Sequence, residues 1–162
     1  MEHHLKALHF DTILEQLGEH ALSEQAKAEL AQLRPITNED VCRLKMLETT
    51  SARALLESCG NPPLSPVDSI SSHLQLAMSG GMLLPAQLCE VARFASSCRR
   101  TADYLKRGEE CGSACTQVAV FGRAFADLGP LRASIEGAVN EETVYDSASK
   151  PLRELRRQIM LL

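Results

Sequence analysis

Apolar residues recur at helical spacing along most of this chain, and polar caps and prolines separate the runs. Asp11 can cap a helix carrying Ile13, Leu14 and Leu17, with Gly18 weakening its end. Ser23 opens a second helix, lined by Leu22, Ala26, Leu30 and Leu33 and stopped before Pro35. Asn38 caps a long third helix, whose first turn holds Glu39 and Asp40 where the helix dipole favours negative charge. Its buried stripe is expected to include Val41, Leu44, Leu47, Ala54 and Leu55. Residues 60–66, Gly-Asn-Pro-Pro-Leu-Ser-Pro, form a rigid connector.

A shorter helix is expected over 68–79, facing inward through Ile70, Leu74, Ala77 and Met78 and ended by Gly80-Gly81. Pro85 suits the first turn of a helix whose stripe reads Leu88, Val91, Ala92, Ala95, Cys98, Ala102, Leu105. Residues 107–113 read as a charged, glycine-containing loop. Two short helices follow near 114–127 and 130–138. Residues 140–148 break the pattern, with at most a short extended piece at Thr143-Val144-Tyr145.

Ser149 can cap a final helix that tolerates Pro151 in its first turn. Its apolar positions, Leu152, Leu155, Ile159 and Leu162, step by three, four and three residues, the spacing of a coiled-coil seam. With no stop signal and an apolar Met-Leu-Leu end, this helix reads as cut from a longer one. The stripe is therefore an interface candidate.

Composition sharpens the class. Leu (24) and Ala (19) far outnumber Val and Ile (12 together), which favours helix over strand. Net charge is −4 and pI about 5.7, which argues against a domain that is basic throughout. Charge is unevenly spread, however: residues 149–162 carry net +3 and the preceding 148 carry −7. Lys150, Arg153, Arg156 and Arg157 supply that excess. They are candidates for contact with nucleic acid or an acidic surface, against the alternative of a solvated coiled-coil flank. The absence of an apolar segment of 18 residues or of a cationic leader, together with six irregularly spaced cysteines, points to a cytoplasmic chain without a membrane span.

The chemistry-bearing motifs are missing. No glycine precedes a lysine, so there is no phosphate-binding Gly-x-x-x-x-Gly-Lys-Ser/Thr loop. Dinucleotide fingerprints, nucleophile elbows and His-Glu-x-x-His pairs are also absent. His3, His4 and His9 near Asp11 are weighed against a solvated amino terminus, and Cys111 beside Glu109-Glu110 against a loop charge cluster. Neighbouring carboxylates would make a thiolate scarcer there. The cysteines lack the paired knuckles of a zinc site and read as small apolar fillers. No catalytic, cofactor or metal residue is assigned.

Three blocks resemble the bacterial MutS-II family, relatives of the mismatch-repair MutS proteins. The first is Leu8-His9-Phe10-Asp11-Thr12-Ile13-Leu14-Glu15-Gln16-Leu17, leading to Leu33-Arg34-Pro35. The second is Pro63-Leu64, then Asp68, then 80–88, Gly-Gly-Met-Leu-Leu-Pro-Ala-Gln-Leu. The third is Val144-Tyr145-Asp146-Ser147-Ala148-Ser149, followed by Leu152-Arg153 and Arg156. The resemblance covers nearly the whole chain, in the family's order. It implies homodimeric ATPases with a helical core, a coiled-coil clamp and often a nuclease domain. These are linked to branched or mismatched DNA, to recombination and to rescue of collided ribosomes. ATP, magnesium and the nuclease residues would belong to domains downstream of the matched region. This chain would then be all-α: an irregular multi-helix bundle over 1–139, a hinge at 140–148, and the root of a lever helix at 149–162. Its function would be structural transmission between clamp and ATPase, without catalysis of its own. The rival reading is an autonomous helical adaptor docking partners on the Leu152–Leu155–Ile159 stripe.

Overall fold

The structure, a computed structural model, describes residues 9–64 and 70–161. Eight α-helices are described: α1 (Phe10–Glu19), α2 (Glu24–Ala31), α3 (Glu39–Cys59), α4 (Ser71–Met78), α5 (Pro85–Glu110), α6 (Thr116–Ala119), α7 (Gly129–Glu136) and α8 (Lys150–Ile159). Tight 3₁₀ turns occupy Ser113–Cys115, Val120–Ala124 and Asp146–Ala148. No strand occurs among the described residues. A single antiparallel bridge joins Val139 to Val144, at the place where the pattern allows an extended piece. The chain is all-α, as expected.

Local chemistry sets most helix starts. Ser23, Asn38 and Ser149 each accept a hydrogen bond from the backbone N–H three residues on, at 3.1, 3.1 and 3.3 Å. The long helix α5 begins with Pro85, and the Gln87 side chain reaches back to accept from the Leu84 N–H at 2.8 Å. Asp11 is not a cap. The chain enters α1 through His9 in the left-handed conformation (φ 51°), leaving Asp11 in the first turn.

Helix α5 is the axis of the body. It packs on α7, α6, α3 and the Val120–Ala124 turn, while α1 and α2 pack on each other. Two apolar clusters lie along it. Near its carboxy-terminal end, Leu55, Tyr104, Leu105 and Cys115 are buried together, with Ala54, Cys59 and Val118 against them. Toward its start, Ala92, Ile135 and Val139 are buried with Leu88, Cys89, Val91, Ala138 and Val144 around them. The α5 stripe is thus covered as its periodicity predicts. Two polar bonds join helices here: Tyr104 donates to the Gly60 carbonyl at 2.7 Å, and the Val118 N–H donates to buried Ser51 at 3.2 Å.

Four expectations are corrected. Residues 107–110 are the last turn of α5, not a loop, because Gly108 is buried against α3. A Cβ there would lie 2.2 Å from Leu55 Cδ1, so any larger residue would require the buried Leu55 side chain to move. In α3 only Ser51 and Leu55 are buried; Val41, Leu44 and Leu47 are exposed because no described element covers that half of the helix. In α4, Leu74, Ala77 and Met78 face outward, and the half-buried residue is His73, whose Nε2 lies 3.2 Å from Glu90 of α5. The segment 114–127 is also broken, into two 3₁₀ turns and the four-residue α6.

Candidate interaction site

The expected hinge is an internally bonded connector. Asn140 organises it: its side-chain oxygen accepts from the backbone N–H of Glu142 (3.0 Å) and Thr143 (2.6 Å) and from the Thr143 hydroxyl (3.2 Å). Asn side chains stabilise such turns by imitating a backbone acceptor. The Asn140 N–H donates to the Thr143 carbonyl at 2.9 Å, and the Tyr145 N–H to the Ala138 carbonyl at 2.8 Å. Val144 is thereby folded onto the Ala92–Ile135–Val139 cluster. Across the connector, Glu141 pairs with Arg93 of α5 at 2.6 Å.

Asp146–Ala148 then turns the chain into α8, whose first free N–H groups meet Ser149. Arg156, almost two turns along α8, reaches back over this turn. Its guanidinium donates to the Val144 carbonyl at 2.8 Å and pairs with the Asp146 carboxylate. One guanidinium nitrogen, Nη1, makes both contacts, and as a charged donor it binds a carbonyl and a carboxylate more strongly than a neutral N–H would. One side chain therefore ties the last helix to a segment whose apolar residue sits in the core of the body.

The four basic candidates consequently divide. Arg156 is engaged inside the molecule. Lys150, Arg153 and Arg157 are exposed, and their side chains make no hydrogen bond or ion pair with a described residue. Of the apolar stripe, Leu152 is half-buried, whereas Leu155 and Ile159 are 57% and 68% exposed on one face. Met160 and Leu161 are exposed beyond them. Leu162 lies outside the described residues. The arrangement is an amphipathic helix with an uncovered apolar face and a basic margin, suited to docking a helix or an acidic surface, with no group placed for covalent chemistry.

One cluster is not visible in the sequence. The thiols of Cys59 and Cys111, 52 residues apart, lie 3.1 Å from each other, close to buried Cys115. The Cys59 thiol is raised above its ordinary pKa, first by its hydrogen bond with Cys111 and then by burial. Only the packing of α3 against α5 brings these residues together, so spacing could not signal them. Among the described residues no three His, Cys, Asp or Glu side chains are grouped so as to hold a metal ion. His3 and His4 lie outside the described residues. No described helix is long and apolar enough to cross a membrane.

Comparison with known proteins gives the chain its relatives. It is 34% identical over 156 residues to the endonuclease MutS2 of Geobacillus thermodenitrificans, covering 96% of this chain and 20% of that protein. It is 32% identical over 159 residues to the endonuclease MutS2 of Clostridium beijerinckii, covering 98% of the chain and 20% of the relative. Identity to the endonuclease MutS2 of Symbiobacterium thermophilum is also 32%, over 162 residues and 20% of that protein. No family model and no solved structure matches the chain. The matched part is the amino-terminal region of these proteins, so the chain spans about a fifth of the length of the relatives it matches. This chain is therefore related to the MutS2 family, as a counterpart of the amino-terminal fifth of its members.

Proposed function

We propose that this chain is the amino-terminal structural region of a MutS2-like DNA-binding ATPase, and that it transmits movement between the ATPase and a clamp without catalysis of its own. The observation that carries this reading is the double hold of Arg156 on Val144 and Asp146. A helix tied by one side chain to a braced connector is held to the body in this state, and it swings only when those contacts are released. Residues 140–148 act as the hinge, because element-terminal positions absorb dihedral change. ATP and magnesium are used downstream, in the remainder of the parent chain. The parent acts as a cytoplasmic homodimer on branched DNA or on stalled ribosomes. A second reading, an autonomous adaptor, is favoured by the uncovered Leu155–Ile159 face.

The test uses a MutS2-type protein carrying this region, with ATP turnover measured with and without branched DNA. Arg156→Ala is expected to leave basal turnover within about twofold and to lower the DNA response at least about threefold, roughly the loss of one exposed charge-assisted contact. An unchanged DNA response would remove the transmission reading. The 162-residue chain by itself is expected neither to hydrolyse ATP nor to cut DNA. Turnover that persists through purification and is abolished by a point mutation within it would overturn that expectation.

A further inference from the structure

We propose that Cys59 and Cys111 form a peroxide-responsive dithiol, which closes to a disulfide and clips the end of α3 to the end of α5. Both thiols sit at helix ends: Cys59 is the last residue of α3, and Cys111 caps α5. The 3.1 Å sulfur–sulfur separation is shorter than ordinary van der Waals contact between thiols. The elements carrying them are held in register from both sides of the pair. Tyr104 bonds the carbonyl of Gly60, the residue after Cys59, and Leu55 closes on Gly108, three residues before Cys111. Cys111 is exposed and Cys59 half-buried, so an oxidant meets Cys111 first. The Cys59 thiol is held above its ordinary pKa, first by the Cys111 hydrogen bond and then by burial, with Arg107 opposing them only in part, which suits Cys59 to the second, resolving step.

The reaction balances with hydrogen peroxide as the oxidant. The Cys111 sulfur attacks one peroxide oxygen, the O–O bond breaks, and the departing hydroxide leaves as water with the thiol proton. Cys111 is now a sulfenic acid, oxidised by two electrons. The Cys59 sulfur then attacks the Cys111 sulfur, forming S–S and breaking S–O. The second hydroxide leaves as water with the Cys59 proton. Two thiols and one peroxide become one disulfide and two waters. Cys115 is only 1% exposed, which keeps it from the first step. The clip closes the loop between residues 59 and 111, which holds α4 and all of α5, and so constrains the unfolded chain strongly.

The experiment treats the full chain with hydrogen peroxide under native conditions, blocks remaining thiols by alkylation, and maps unreduced peptides by mass spectrometry. A Cys89→Ser, Cys115→Ala background makes the bridged peptides unambiguous. The expected result is loss of two thiols, a Cys59–Cys111 bridge, recovery of both thiols with dithiothreitol, and a thermal midpoint raised by about 5 °C or more. Bridge formation should be at least about tenfold faster in the folded chain than in urea, because folding supplies the proximity. Cys111→Ser should stop the bridge, as should Cys59→Ser. Three results would overturn the proposal: a native bridge from Cys115 to either partner in the chain with Cys89 and Cys115 intact, equal rates folded and unfolded, or over-oxidation of Cys111 with Cys59 still alkylatable.

Discussion

Tyr104→Ala is expected to destabilise the body by about 3–5 kcal/mol, as large-to-small changes at buried aromatic sites do. The ring is 2% exposed and packs with Leu55, Leu105 and Cys115, so its removal opens a cavity where α3, α5 and the Ser113–Cys115 turn meet. The hydroxyl contributes separately, because it holds the Gly60 carbonyl where the chain leaves α3 in a positive-φ turn (φ 74°). Tyr104→Phe keeps the ring and should cost only about 1 kcal/mol. Against a total stability of about 5–15 kcal/mol, the alanine variant should lower the thermal midpoint by about 10 °C or more. Urea unfolding of the two variants separates packing from hydrogen bonding. Equal losses would mean that the ring is not a packing element.

The second large effect concerns the uncovered stripe of α8. We propose that the chain self-associates through it, with Arg153 and Arg157 flanking the contact, since a helix of ten residues has little stability of its own and gains from a partner. Replacing Leu155 and Ile159 by Glu should weaken that association at least about 100-fold, because charges at seam positions are costly to bury. The helical body should stay folded, both side chains being exposed in the single chain. Sedimentation decides: a dimer that becomes a monomer supports the pairing. An unchanged mass ends it, and unfolding of the whole chain would place the stripe in the core.

The elements that sequence reasoning found are those set by neighbours in the chain. Ser23, Asn38 and Ser149 cap helices because a cap needs only an oxygen and the N–H three residues on. The α5 stripe was legible because one face of that helix is covered along its length. What failed was coverage. Periodicity marks Val41, Leu44 and Leu47 as one apolar face, but it does not tell whether another element lies over it. Gly108 misled for a related reason: glycine within a charged run resembles a loop, and only contact with Leu55 reveals a helix brought close. At the candidate site, the same ambiguity hid the division of labour among the cations. Lys150, Arg153, Arg156 and Arg157 are equivalent by composition; the fold turns Arg156 inward onto Asp146 and Val144, ten and twelve residues back.

Arg156 holds α8 to the connector, and amide hydrogen exchange reads that hold directly. In the native chain the α8 backbone and the 143–146 segment should exchange slowly and together, since α8 packs on the Asp146–Ala148 turn and Val144 carries that segment onto the α5–α7 cluster. Arg156→Ala should speed exchange in both segments by about fivefold or more, in keeping with loss of an exposed charge-assisted pair, while the middle of α5 stays unchanged. If α8 instead exchanges at the same rate in both proteins, Arg156 does not brace it, and the last helix is not coupled to the body in the way proposed.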